Sequence, residues 1–146
     1  IAMTPGTAAK KLRKLANDLP HRVNAAKRDA AKDALQDLVL ETPVDTSKAL
    51  SGWQVGIDSA PGADIPAYFP GQAGSTEAQS AAAAIAAGNT RLDTVQPGQA
   101  VHLTNNTPYI QDLENGTAKS KPGGFVAAAL INLRLYVRSN LRNLLR

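Results

Sequence analysis

Apolar and polar residues first separate in a regular way between Thr4 and Glu41. Thr4 or Thr7 can begin a helix, with Pro5 tolerated in its first turn. Leu12, Leu15 and Leu19 follow at helical spacing, with Lys10, Lys11, Arg13 and Lys14 on the other side. Pro20 predicts a kink or a short break at Leu19–Pro20, because proline lacks the amide that a helix interior needs. A second helix over His21–Glu41 carries Val23, Ala26, Ala30, Ala34, Leu38 and Val39 along one face. Lys27, Arg28, Lys32 and Asp33 lie opposite. Such a face needs something to lie on, and a sheet formed later in the chain is the available candidate.

The period then changes. Thr42 precedes Pro43, which disfavours the helical basin and ends the helix. Asp45 and Thr46 are short polar residues able to cap a turn over Ser47–Ser51, which Gly52 stops. Trp53, Val55 and Ile57 alternate with Gln54, Gly56 and Asp58, the pattern of a half-buried strand. Ser59–Gly74 reads as a long loop with room for one short strand near Ile65–Phe69. Thr76-Glu77-Ala78-Gln79 fits a capping box for an alanine-rich helix ending at Gly88. That helix has little to bury beyond alanine and Ile85, so the stretch 60–98 reads as a mobile insertion that lies against another subunit.

Val101–Thr104 alternates again and should pair with the Trp53 strand. Asn105–Pro108 is a turn by composition, and Tyr109–Glu114 fits a short helix ended by Asn115-Gly116. Lys119–Gly124 is a loop, and from Phe125 the chain turns helical to its end. Val126, Leu130, Leu133, Val137, Leu141 and Leu144 form a stripe, flanked by a basic ridge of Arg134, Arg138, Arg142 and Arg146. The expected fold is α+β. A small, mainly antiparallel sheet (53–58 with 99–104) is covered on one face by the long N-terminal helix and the C-terminal helix, with the alanine/glycine-rich insertion between.

Composition narrows the picture. A chain of 146 residues suits one domain, taken as 3–146, with Ile1-Ala2 ahead of Met3 read as a cloning remnant. Aromatics are only 4%, so the core should be adequate rather than thick. No cysteine is present, which removes disulfides and thiolate metal sites. The longest apolar run, Ala81–Ala87, is far short of a membrane span, and no charged-then-apolar leader opens the chain. The net charge of +4 is unevenly spread: residues 1–41 hold eight basic and five acidic side chains, 42–100 two and five, 101–146 six and two. Basic ends around an acidic middle permit contact with nucleic acid and equally permit copies to stack with opposite charges facing.

Candidate chemistry is sparse. His21 and His102 sit on different elements with no nucleophile turn near either. No histidine or carboxylate pair has ligand spacing on one element. Gly71–Thr76 faintly resembles a phosphate loop but has no lysine between its second glycine and the hydroxyl residues. The few aromatics make no stacking platform for single strands. The residues therefore point to a non-enzymatic role without a cofactor.

Three stretches stand out in order. The first is Thr42-Pro43-Val44-Asp45-Thr46 followed by Leu50-Ser51-Gly52-Trp53. The second is Asn105-Asn106-Thr107-Pro108-Tyr109 with Leu113-Glu114-Asn115-Gly116. The third is Pro122-Gly123-Gly124-Phe125-Val126. Together they resemble the signature of the tail-component family of tailed bacteriophages. Three departures stand out: Ser47 where the family has glycine, Ile110 where it has alanine, and Lys119-Ser120-Lys121 where it has Ser-Gln-Ala.

The resemblance implies a structural virion protein, assembled as a ring, hexameric by family expectation, in the neck that completes the tail and joins it to the head. The subunit would be monomeric alone and would meet adjacent neck and tail-tube proteins. Its place would be the virion, and the host cytoplasm during assembly. The same resemblance admits a tail-terminator or head-completion protein. A reading of another class is a basic DNA-binding protein that uses the Arg134–Arg146 ridge, or a ridge that contacts DNA in passing.

Overall fold

Seven elements follow one another in the computed structural model, which describes residues 4–116 and 122–144. The first, α1 (Pro5–Glu41), is a single helix of 37 residues, about 55 Å long. Thr4 caps it, its Oγ1 accepting from the Thr7 amide at 3.2 Å, and Pro5 fills the first turn. The expected break at Leu19–Pro20 does not occur, for the helix runs through Pro20. Pro20 removes the donor for the Ala16 carbonyl, but both residues are exposed, so water can serve that carbonyl.

After Thr42 come α2 (Lys48–Ser51) and β1 (Trp53–Ile57), then a long loop, α3 (Glu77–Leu92), β2 (Val101–Asn105), α4 (Ile110–Asn115) and α5 (Phe125–Leu144). The strands pair antiparallel, as expected, and the structure sets their register, with Trp53 opposite Asn105 and Ile57 opposite Val101. β1 ends at Asp58, whose φ of 65° leaves the extended region and whose Oδ1 accepts from the Ala100 amide at 2.9 Å. Ile65–Phe69 forms no strand. Ser51 Oγ accepts from the Tyr68 amide at 3.2 Å, and Ser80 Oγ bridges the amide and carbonyl of Phe69.

The fold is α+β as expected, with one change in what covers what. α3 packs on both α1 and β1 and takes the sheet-covering place expected of the C-terminal helix, while α5 packs on α1. Small side chains make this close approach workable. Ala81 and Ala84 are buried, and a Cβ at Gly88 would overlap Leu35 of α1. Gly88 is thus an interior packing residue rather than the C-cap, and the helix continues to Leu92. Leu35, Val39, Leu50, Leu92 and Val95 are essentially inaccessible and form the core. Lys32 on α1 meets Asp93 just past α3 at 2.6 Å. That hydrogen bond and charge hold the exposed carboxyl of Asp93 below the usual range.

Candidate interaction surfaces

The Thr42–Trp53 corner is held by buried polar pairs. Trp53 Nε1 donates to Thr42 Oγ1 at 2.9 Å, and that hydroxyl donates in turn to the Leu38 carbonyl. The indole is thereby tied to the last turn of α1 while its ring fills the core. Pro43 is buried and Val44 packs against the core, whereas Thr46 is exposed. Neither Asp45 nor Thr46 caps α2. Asp45 instead reaches across the fold, accepting from the Ala73 amide at 2.9 Å with its side chain and from the Gly74 amide at 2.9 Å with its carbonyl.

Ser47 precedes α2 with a φ of 65°, so the turn keeps the left-handed geometry that favours glycine. Its hydroxyl pairs with Thr76 Oγ1 at 2.9 Å. Thr76 is therefore engaged elsewhere and forms no side-chain cap on α3, so the capping box is not made.

The second motif meets the first. Asn105 Nδ2 donates to the Ala49 carbonyl at 2.7 Å, and a Cβ on Gly52 would sit 2.5 Å from Thr107 Oγ1 and 2.6 Å from Asn105 Oδ1. Leu50 is buried beside this junction. Asn106 Nδ2 donates to the Pro61 and Ala63 carbonyls at 2.8 and 3.1 Å, anchoring the start of the long loop. Leu113 packs against the core, while Pro108 and Tyr109 stay on the surface.

Glu114 joins the second motif to the third. Its carboxylate accepts from the Val126 and Ala127 amides at 2.9 and 3.1 Å, and its carbonyl accepts from Gly124 at 2.8 Å. A carboxylate on the free amides of the first turn of α5 suits the helix dipole. Gly116 and Gly124 both take positive φ, 85° and 90°, and Gly123 leaves no room for a Cβ beside the Glu114 carbonyl. Pro122 is exposed at this crossing. Lys119-Ser120-Lys121 and Arg146 lie outside the described residues.

α5 runs antiparallel to α1: Asn132 Nδ2 lies 3.3 Å from Asp37 Oδ2, and Arg22 donates to the Asn143 carbonyl at 3.1 Å. Only Phe125 and Ala129 of α5 are buried. Its apolar stripe instead borders a groove of about 610 Å³, with Val126, Leu130, Leu133, Val137, Leu141 and Leu144 on one wall. Val23, Ala30, Ala34 and Leu38 of α1 and Val101 and Leu103 of β2 complete it. Periodicity showed the stripe but could not show that nothing covers it.

On the other flank of α5, Asp33, Asp37, Asn132 and Tyr136 line a smaller polar recess of about 220 Å³. Partial burial, and then the charges of Asp33 and Asp29, push the Tyr136 hydroxyl above the ordinary tyrosine range. Arg134, Arg138 and Arg142 are exposed along α5, and none forms an ion pair among the described residues.

Among the described residues no group of three or more histidine, aspartate or glutamate side chains could hold a metal. Nor is any described helix long and apolar enough to cross a membrane. Sequence reasoning missed Ser80 and Asn24. Ser80 is fully buried, and Asn24 holds the Val95 carbonyl through its Nδ2 at 2.9 Å. Lone polar residues in alanine-rich helices carry no signal of such a role. Comparison with known proteins found no matching family, no matching curated protein and no matching solved structure.

Proposed function

We propose that this chain is a structural subunit of a tailed-phage neck, a tail-completion protein that assembles in a ring between head and tail. The observation that carries the reading is the interlock of its motif halves. Asn105 holds the Ala49 carbonyl, Gly52 makes room for Asn105 and Thr107, and Glu114 anchors the helix that follows Pro122–Gly124. Residues far apart in the chain build one frame, which supports treating the three motifs as a single unit. The broad apolar groove suits a protein whose work is assembly. Tests of partnership separate the neck roles. Tagged protein should retain both portal-side and tube-side neck proteins from an infected lysate and yield rings by negative-stain microscopy. Retention of the tube protein alone would favour a tail terminator, retention of the portal side alone a head-completion protein, and retention of neither would sink the reading.

The exposed row of Arg134, Arg138 and Arg142 favours a second reading, in which the chain binds DNA through its phosphates. Affinity would then fall steeply with salt, and replacing the three arginines by glutamine would flatten that slope by about three. Absence of binding at low salt removes it.

A further inference from the structure

No residue of α1 from Pro5 to Val23 is buried, although this arm carries its own apolar stripe. Leu12 is 65% exposed and Leu15 47%, with Leu19 half-buried one turn further on. The cations Lys10, Lys11, Arg13 and Lys14 lie off the stripe. A helix face of this kind, without a cover among the described residues, stands beside a groove that also has none among them. We propose that the arm of one copy seats in the α1–α5 groove of a second copy, and that the two copies exchange arms reciprocally with their α1 helices antiparallel.

Geometry favours a second copy over the chain's own arm. Arm and groove wall belong to one unbroken helix, so the arm points away from the groove of its own chain. The arm, Pro5–Arg22, is about 27 Å long, and the wall it would follow, Val23–Leu38, is about 24 Å. Because the two segments adjoin in one rod, antiparallel pairing places each arm on the other copy's wall at once.

Chemistry agrees. The groove brings a single charged lining residue, Lys27, whose Nζ is held by the Gln99 carbonyl at 2.6 Å. A cationic ligand finds no counter-charge there and an anionic one only this single ammonium, whereas a leucine stripe finds an apolar wall. Area decides whether the contact can stand. A helix of that length and about 10 Å across, burying a third of its flank, removes roughly 280 Å² from water, and the groove loses a similar area. Reciprocal exchange doubles the whole to about 1,100 Å², above the roughly 1,000 Å² that a biological interface should clear, while a single arm alone falls short. The inference does not rest on the neck reading, and it replaces the monomeric free subunit that the resemblance implies.

The chain has no cysteine, so disulfide trapping is clean. Leu12→Cys and Val137→Cys, both at exposed positions, are made in separate full-length chains, mixed and gently oxidised. A mixed disulfide formed well above either self-pair, and a solution mass twice the 15.3 kDa chain, are expected. Leu12→Asp with Leu15→Asp should return the mass to one chain that still melts cooperatively, at a temperature no longer dependent on protein concentration, since neither side chain is buried in its own chain. Three results would overturn the proposal: a monomeric wild-type mass, a mass unmoved by the double aspartate variant, or a disulfide closing within one chain when both cysteines are placed together. The last would mean that the arm folds back at Pro20.

Discussion

α3 and α5 invert what their compositions promise. α3 is alanine-rich, with Ile85 and Leu92 as its only large apolar residues, yet it sits in the core and leaves Leu92 inaccessible. α5 is rich in leucine and valine, yet Leu130, Ile131, Leu135, Val137 and Leu141 are each more than 40% exposed. Small side chains let α3 approach α1 closely, with Gly88 against Leu35, and close packing excludes water from both helices. α5 also lies close along α1 but makes little contact with the sheet, and the groove between them stays open beside its large side chains. Apolar content therefore measures what a helix could bury, and shape decides what it does bury within one chain.

Paired truncations test this most strongly. Leu35→Ala at the α1–α3 contact should cost about 3–5 kcal/mol in chemical denaturation, because the residue is fully enclosed. Leu135→Ala on α5, where the side chain is 58% exposed, should stay within about 0.5 kcal/mol. Equal losses at the two sites would end the contrast. Hydrogen exchange separates α3 from the loop before it. Amides of 77–95 should be protected to nearly the global stability, and those of 60–67 should exchange almost freely. Fast exchange throughout would restore the expectation that 60–98 moves as a whole.

A smaller effect carries an informative sign. Gly88→Ala should destabilise by about 1–3 kcal/mol through overpacking against Leu35. At an open helix position the same change would stabilise by about 1 kcal/mol. Smallest is Ser47→Gly. Relief of the positive φ, about 1 kcal/mol, is set against the lost hydrogen bond to Thr76, also about 1 kcal/mol, so the melting temperature should barely move. A large change of either sign would show that one contribution dominates the corner.

That the two strands pair was legible because each alternates in hydrophobicity, whereas their register, with Trp53, Val55 and Ile57 opposite Asn105, Leu103 and Val101, was not, since alternation leaves shifts of two residues equivalent. The end of α1 at Thr42-Pro43 was legible too, since steric exclusion before proline is local. The misreadings share a cause. Pro20, Gly88 and Thr76 each carry a strong local signal that the surroundings redirect: solvent exposure at Ala16 and Pro20, Leu35 behind Gly88, Ser47 beside Thr76. The interlocking motifs were visible as motifs, but that Gly52 and Asn105 touch follows from pairing β1 with β2. The groove was not visible at all, because a stripe of spacing three and four looks the same whether covered or bare.

α1 is also a mechanical part. It is clamped over its C-terminal half by α3 and α5, and free over the N-terminal half. A rod so held is a cantilever, rooted near Arg22, which donates to the Asn143 carbonyl at 3.1 Å. Pro20 is its compliant point, the interior position without an amide to donate, just outside the root. A load on the arm therefore bends the helix at Pro20 before it strains the clamped half and the Thr42–Trp53 hydrogen bond at its far end.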